Sequence, residues 1–444
     1  MQAVRYVRRD TTRNGQMQDD TAQRAFETIS GADDPAPGLD EKAQRAEARN
    51  GLRHIVSLSM TKVADGLIDP KLVLAWLLSA LGAPAVFAGA LVPIREAGSL
   101  LPQIALAGVV QRTARRKWAW VWGSVGQGVA AALIALAALS LEGATAGYAI
   151  CAALALLAVC RAACSVSFKE ILGKTVGKTR RGSVTGLAGS VSSVGVVIFA
   201  GLLMSGLFQS RGVVVAAIAL AAGLWVVAAL LFSTIEETPS ETEKSSGVDF
   251  KLLRGNRDLW LFILVRGLLV STALAPPYLV VLAGSSEAGQ LGQLGALVLA
   301  SALASLLSSY VWGRLSDTSS RRVLMLTGVV GAVAMALAVL LWFLGLAEAI
   351  WALPSVLFIL MIAYHGVRQG RSTYLVDMAP KDHRAAYAAV SNTVIGLLLL
   401  LAGVLGGGAA LIGPEATLML FAVMAVAAAV LAHWLPEVEH LADG

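Results

Sequence analysis

Residues 313–322 read GRLSDTSSRR, and residues 108–117, which lie 205 positions earlier, read GVVQRTARRK. Both stretches begin with glycine and end with two basic residues, although Arg112 stands in the first where Asp317 stands in the second. A second pair of loops agrees more weakly at a shift of 203, where Leu172, Lys178 and Arg181 match Leu375, Lys381 and Arg384. Duplication of a membrane domain leaves such a repeat. The sequence therefore predicts two related halves.

The composition indicates what kind of protein these halves form. Of the 444 residues, 57% are hydrophobic, 44 more are glycine and only 14% are charged, and the mean hydropathy is +0.71. A soluble domain carries about 25% charged residues, so this chain has too little polar surface to cover a soluble particle. It is predicted to be an all-α membrane protein in a lipid bilayer. The net charge of +6 lies in short basic clusters between apolar blocks, which argues against nucleic-acid binding.

Isolated charged residues divide the apolar sequence into helices. Arg266 and His365 aside, five blocks of about 43 to 55 residues each hold one central charge: Glu142, Arg211, Glu287, Glu348 and Glu415. A membrane span needs about 20 residues, so each block fits two spans joined by a short loop. With residues 70–111 as the sixth pair, the sequence predicts twelve spans.

The connections between the blocks are basic, which predicts the orientation of the chain. By the positive-inside rule, these connections and both chain ends face the cytoplasm. The longest connection, residues 236–257, is polar and is interpreted as a linker. It separates a first six-helix bundle at residues 70–235 from a second at residues 258–435.

The two chain ends are predicted to be cytoplasmic tails, at residues 1–69 and 436–444. The composition of the first tail predicts that it is largely disordered, with a short interfacial helix at residues 55–68. Asp69 and Pro70 are interpreted as the N-cap and first helical residue of the first span.

One loop pattern resembles that of a known family. Gly313, Leu315, Asp317, Arg321 and Arg322 look like the G-x-L-x-D-x-x-x-R-[RK] signature of the major facilitator superfamily. The segment VPIREAGSLLPQ at residues 92–103 is similar to a subgroup of bacterial permeases. The resemblance implies twelve transmembrane helices in two pseudo-symmetric bundles that rock about a central cavity. It also implies that the first, fourth, seventh and tenth spans line this cavity, that the protein works as a monomer, and that it lies in a bacterial inner membrane.

The loop signature is interpreted as a gate. Asp317 can cap a neighbouring helix and pair with Arg321 or with a basic residue of the other half. The predicted gating residues are Gly313, Asp317, Arg321 and Arg322, with Gly108 and Arg116 in the earlier copy. The earlier copy lacks the acid, and the alternative is that these charges only set the topology.

Ionisable residues inside spans are costly and therefore point to function. Arg266 lies eight residues into the seventh span and is predicted to line the cavity; the alternative is an ion pair with Glu96 or with a helix C-terminus. Arg95 and Glu96 are predicted to lie inside the second span, unless a turn at Pro93 leaves them in water. Glu96 would then be the only acid well inside the bilayer and could carry a proton, unless it pairs permanently with Arg95.

Polar residues of other spans complete the predicted site. Arg161 in the fourth span and His365 in the tenth occupy nearly corresponding places, and His365 is predicted to be either a proton switch or a packing residue. Tyr364 and Gln103 are candidate lining residues, and Pro102 predicts a kink. The substrate-binding set is Arg161, Arg266, Gln103 and Tyr364, and the proton-coupling set is Glu96, His365 and Arg95.

The excess of basic residues in these spans favours a small anionic solute as substrate. The first hypothesis is therefore a secondary transporter, with proton coupling through Glu96 or His365. The alternatives are a drug or metabolite efflux antiporter of the same fold, and a non-transporting assembly or sensor protein. No phosphate-binding loop, H-E-x-x-H or G-x-S-x-G motif occurs, so neither an enzyme nor a cofactor is predicted.

Overall fold

The computed structural model of the protein describes residues 21, 23–28, 39–205, 210–239, 255–282, 287–379 and 384–438. All regular elements among these residues are helices, and they form twelve spans. Spans 3 to 6 are Lys117–Ser140, Gly143–Thr175, Arg181–Met204 and Arg211–Ser233. Spans 8 to 12 are Glu287–Thr318, Ser320–Phe343, Ala352–Met378, Arg384–Ala409 and Pro414–Ala432.

Three spans are interrupted. Span 1 consists of Glu41–Leu67 and Val73–Ala80, and span 2 of Ala85–Leu100 and Gln103–Gln111. Span 7 consists of Arg257–Leu269, Ser271–Leu274 and Pro276–Leu282. Ten spans of the described chain contain a segment that is long and apolar enough to cross a membrane, namely spans 3 to 12. Spans 1 and 2 bring the number to twelve.

The structure corrects the predicted start of span 1. Asp69 and Pro70 do not begin the span but lie in its central break, where the Asp69 carboxylate accepts a hydrogen bond from the backbone N–H of Lys71 at 2.7 Å. The segment predicted as a short interfacial helix belongs to the 27-residue helix Glu41–Leu67, which packs along spans 5 and 6. The boundary predicted at residue 70 therefore falls inside the first bundle.

The other predicted boundaries are only partly covered. Most of the predicted linker and most of residues 1–38 lie outside the described residues. At the other end, Val438 is buried and the carbonyl oxygen of Pro436 accepts a hydrogen bond from the Tyr374 hydroxyl at 3.1 Å. The second bundle thus includes residues that were assigned to the C-terminal tail.

The two bundles repeat the same packing. A Cβ atom at Gly128 in span 3 would lie 2.9 Å from the carbonyl oxygen of Ala222 in span 6. In the second bundle, a Cβ atom at Gly328 in span 9 would lie 2.8 Å from the carbonyl oxygen of Ala425 in span 12. Glycine allows such close approach of two helices in a membrane, so both bundles use it at the same junction.

The bundles meet through spans 2 and 11 and through spans 5 and 8. A Cβ atom at Gly403 would lie 2.3 Å from Cγ of Pro93, and one at Gly295 would lie 2.9 Å from the carbonyl oxygen of Ala200. These four residues lie toward the end of the molecule opposite the basic connections. The close packing there leaves a cavity between the bundles further along the spans.

Candidate functional site

A three-residue ion cluster ties together three spans of the first bundle. Arg95 of span 2 donates from Nη2 to Oδ1 of Asp65 at 2.7 Å, and Arg161 of span 4 donates from Nη1 to both carboxylate oxygens. Asp65 itself belongs to the first helix of span 1. The cluster holds two positive charges and one negative charge, so it keeps a net positive charge inside the bundle.

Asp65 is the main functional candidate that the sequence analysis missed. Glu96 was expected to be the only acid well inside the bilayer, and this is wrong because the corrected span 1 contains Asp65 and Asp69. The signal was the spacing of three residues that places Lys62 and Asp65 on one face of a helix, with Asp69 four residues further along. The interpretation of Asp69 as a helix cap hid this face.

Glu96 occupies a different environment from its neighbour Arg95. Among the described residues, its carboxylate makes no hydrogen bond and no ion pair, whereas Arg95 pairs with Asp65. The basic residues whose charges act most strongly on Glu96 are Lys71, Arg95 and Arg371. A permanent pair between Arg95 and Glu96 is therefore not formed, and Glu96 has its charge balanced only at longer range.

A cavity of about 220 Å³ lies between the two bundles. It is bounded by the break of span 1 and by spans 5, 8 and 10, and it includes Asp69, Lys71, Tyr364, His365 and Arg368. The Lys71 ammonium lies 3.5 Å from the centroid of the Tyr364 ring, a cation–π contact that joins the two bundles. The Tyr364 and His365 rings lie 5.3 Å apart in an edge arrangement.

Arg266 is buried, with 5% of its surface exposed, and it has a neutral partner. Its Nη2 donates to the side-chain oxygen of Asn392 at 2.9 Å, and no described residue accepts a hydrogen bond from its Nε. In the described part of the chain, neither Glu96 nor any other carboxylate pairs with it. The nearby charge of Arg371 adds repulsion, so this part of the second bundle is strongly electropositive.

Gln103 and Pro102 lie where span 2 is divided. The side-chain amide of Gln103 donates to the carbonyl oxygen of Ser99 at 2.8 Å, which is a hydrogen bond within span 2. The division at Pro102 agrees with the predicted kink. Among the described residues, the side chain of Gln103 makes this local hydrogen bond and none with the other predicted site residues.

The loop residues predicted as gates pair inside their own bundles. Arg116 pairs with Glu170, and its backbone N–H donates to the Glu237 carboxylate at 3.0 Å. Arg321 pairs with Glu437 at 2.8 Å. In each bundle an acid that follows the last span thus binds the start of the third span.

The other members of the predicted gate have fewer described contacts. Gly108 lies in the second helix of span 2, and the backbone N–H of Arg322 donates to the Ser319 hydroxyl at 3.2 Å. Gly313 and Asp317 belong to the last turns of span 8, but the contacts of these two residues lie outside the described part of the structure. The predicted pairing of Asp317 stays a prediction.

The comparison with family models identifies the fold. The model described as Major Facilitator Superfamily matches residues 57–288 and 269–443. The chain belongs to the major facilitator superfamily. The resemblance drawn from the loop signature is confirmed, together with twelve helices in two pseudo-symmetric bundles.

Solved structures of transporters share this fold. The nucleoside transporter NupG has a TM-score of 0.65 at 12% identity, and the match covers 87% of this chain and 98% of NupG. The POT family transporter PepTSo has a TM-score of 0.67 at 13% identity, with coverage of 87% and 97%. A POT family transporter in complex with 5-aminolevulinic acid has a TM-score of 0.64 at 12% identity, with coverage of 86% and 95%.

At these identities the structural likeness shows the fold alone. A search of curated protein sequences finds no match. The family assignment and the apolar helices nevertheless establish an integral, multi-pass membrane protein with the architecture of secondary transporters rather than of enzymes.

Proposed function

We propose that the protein is a secondary active transporter that moves a small organic anion by alternating access. The observation that carries this proposal is the charge of the second bundle. Arg368 lines the inter-bundle cavity, Arg266 and Arg371 add two further positive charges to the same bundle, and no carboxylate among the described residues forms an ion pair with any of the three. Cations buried without an acid are costly, and an anionic substrate would offset that cost.

The first bundle supplies the other side of the proposed substrate site. Lys71 lines the inter-bundle cavity and brings a further positive charge, and the proposed role of Tyr364 is to position Lys71 through the cation–π contact. Arg161, which was predicted to bind substrate, does not line this cavity. Charged walls of low dielectric concentrate ions of opposite sign. An anion in the cavity would therefore contact basic residues of both bundles and draw them together, which is what alternating access requires.

Glu96 is the proposed proton carrier. Its carboxylate has no direct partner among the described residues but lies in the field of Lys71 and Arg371. Protonation of Glu96 would remove a negative charge from the site and so strengthen anion binding, which gives coupling in the direction of proton–anion symport. His365, against Tyr364, is the second candidate, and its alternative role is packing.

The gating proposal follows from the paired loops. Arg116 and Arg321, bound to Glu170 and Glu437, would hold each bundle rigid at the cytoplasmic end. Rigid bundles can rock against each other, so these pairs would act within bundles rather than as a bond between them. We further propose a bacterial inner-membrane location with both termini in the cytoplasm, based on the basic connections.

The experiment that tests the anion proposal uses purified protein in liposomes. Uptake of a panel of organic anions, cations and neutral compounds is measured with the native chain and with Arg371→Gln. A matched control is Arg211→Gln, because Arg211 is half exposed at the opposite end of the molecule. We expect saturable uptake of anions only. The apparent affinity should be about tenfold weaker in Arg371→Gln, because the variant loses one ionic hydrogen bond to the anion.

Two results would contradict the proposal. Uptake of lipophilic cations without uptake of any anion would favour the efflux alternative, in which Glu96 or Asp65 binds the cation. Equal anion affinity in Arg371→Gln and Arg211→Gln would show that Arg371 of the second bundle does not contribute to anion binding. For the proton carrier, Glu96→Gln should retain anion exchange and lose acceleration by an imposed pH gradient.

A further inference from the structure

A second cavity lies inside the first bundle and shares no lining residue with the inter-bundle cavity. It has a volume of about 200 Å³ and is enclosed by spans 1, 3, 4 and 6. Its lining includes Lys62, Asp65, Gln127, Arg161 and Trp225. The sequence analysis gave no function to Lys62, Gln127 or Trp225.

Two buried polar groups in the lining have no hydrogen-bond partner among the residues that the structure describes. Trp225 is completely buried and its indole Nε1 is unpaired, and Gln127 is 3% exposed and its side-chain oxygen is unpaired. The amide nitrogen of Gln127 is already used, because it lies 3.4 Å from the Cys164 sulfur. Buried donors and acceptors normally have partners. The cavity therefore offers one free donor and one free acceptor.

The charged groups of the lining give the cavity a positive balance. Lys62 and Arg161 are positive and Asp65 is negative. Arg161 contacts Asp65 through Nη1 alone among the described residues, and 37% of its side chain is exposed, so its other nitrogens are available to a ligand. The Lys62 ammonium donates to the carbonyl oxygen of Thr185 at 3.1 Å and keeps two further protons.

We infer that this cavity binds a small hydroxycarboxylate. The carboxylate lies against Arg161 and Lys62, which matches the positive balance. The hydroxyl group accepts a hydrogen bond from Nε1 of Trp225 and donates one to the oxygen of Gln127, because a hydroxyl can do both. An apolar cavity of about 150 Å³ accommodates benzene, so a molecule of six or seven non-hydrogen atoms fits the space.

This inference rests on the proposed transport of organic anions and names the chemical class of the anion. It also gives the first bundle a site of its own. A carboxylate bound beside Asp65 would repel the Asp65 carboxylate and share Arg161 with it, so occupancy would loosen the ion cluster that joins spans 1, 2 and 4. Binding in this cavity would therefore act on the helices that must move.

The test measures ligand-induced stabilisation of the full chain in detergent, because a ligand of the folded state raises the melting temperature. The probes are lactate, propionate, which lacks the hydroxyl group, and lactamide, which lacks the charge. We expect lactate to stabilise the protein at concentrations about a hundredfold lower than propionate does, because propionate loses both hydrogen bonds of the hydroxyl group and each contributes about tenfold. Lactamide should have no effect.

Paired variants locate the effect. Trp225→Phe removes the free donor and Gln127→Leu removes the free acceptor, and each should weaken lactate binding about tenfold. The control for the first is Trp76→Phe, because Trp76 is also buried with an unpaired Nε1 but does not line the cavity. The control for the second is Gln293→Leu, a buried glutamine of span 8. Neither control should change lactate binding.

The outcomes separate this inference from the proposed function. Equal stabilisation by lactate and propionate, or an equal loss in Trp225→Phe and Trp76→Phe, overturns the hydroxycarboxylate site. If other anions bind and depend on Arg371 alone, the site is overturned and anion transport stands. If no anion binds the native chain, both fail. Should Trp225→Phe not fold, Gln127→Leu decides the result.

Discussion

At the centre of the first bundle, the carboxylate of Asp65 is shared by Arg95 and Arg161, whereas at the centre of the second bundle Arg266 is held by the neutral amide of Asn392. The two bundles nevertheless repeat the same glycine-mediated packing of their third and sixth spans. The two bundles have thus kept the same helix packing while their central charges differ. The first bundle offsets part of its positive charge with a carboxylate of its own, whereas no described carboxylate forms an ion pair with Arg266 in the second.

The largest loss of stability is expected from breaking the ion cluster of the first bundle. Asp65→Ala leaves two guanidinium groups without their carboxylate. Loss of one partner of a fully buried ion pair costs about 3–5 kcal/mol, and the cost here should be smaller because the side chains of Arg161 and Asp65 are 37% and 22% exposed. We expect a large fall in melting temperature and loss of transport. The double variant Asp65→Asn with Arg161→Gln should recover much of the stability, and failure to recover it would argue against the cluster as the cause.

Arg266→Met should not destabilise the protein as Asp65→Ala does. It removes a buried positive charge that has no acid beside it, and burying such a charge costs several kcal/mol. The melting temperature should stay the same or rise, while apparent anion affinity falls about tenfold. Arg95→Met is the matched variant in the first bundle, and it should destabilise. A similar fall in melting temperature for both variants would erase the contrast between the bundles.

The acids that follow the last span of each bundle should behave alike. Glu237 accepts hydrogen bonds from the backbone at the start of span 3, and Glu437 pairs with Arg321 and accepts from the Ser319 hydroxyl at the start of span 9. Replacement of either acid by alanine should cost about 1–2 kcal/mol, as loss of a helix cap does.

The control for both acids is Glu41→Ala, whose side chain is 91% exposed. Melting temperatures of the three variants compare the bundles directly. A cost in only one bundle would show that the loop contacts, like the central charges, are not equivalent in the two halves.

The smallest effect is expected at the opposite end of the molecule. Arg211 and Glu142 lie 3.6 Å apart, and their side chains are 49% and 76% exposed. An exposed ion pair contributes about 0–1 kcal/mol, so Glu142→Gln should lower the melting temperature by less than Asp65→Ala, Glu237→Ala or Glu437→Ala does. A fall comparable to that of Glu237→Ala would mean that this connection also holds the first bundle together.

Sequence reasoning recovered most of the fold because charges are rare in this chain. Single charged residues marked the loops, and the paired basic residues at 116–117 and 321–322 marked the repeat. It also selected Arg95, Glu96 and Arg161, which the structure places on adjoining spans. These predictions depend on counting residues along helices, and counting works where a span is apolar.

The same reasoning failed where a span is polar and broken. Span 1 carries Lys62, Asp65, Asp69 and Lys71 within ten residues, so hydropathy does not distinguish it from a loop. Its stability comes from tertiary partners, such as Arg161, which lies 96 residues away from Asp65. Glu237 was missed for the same reason, since its partner at Arg116 lies 121 residues away. No local pattern contains such pairs.

The long first helix has a consequence for the order of assembly. The side chain of Asn50 exchanges two hydrogen bonds of 3.0 Å with the backbone of Glu236, which follows it by 186 residues. At about 5–20 residues per second, a ribosome needs roughly 10–40 s to make that stretch. Until then, the N-terminal part of the first helix lacks this partner. The first bundle is therefore expected to close from the opposite end, with its earliest helix among the last elements to lock.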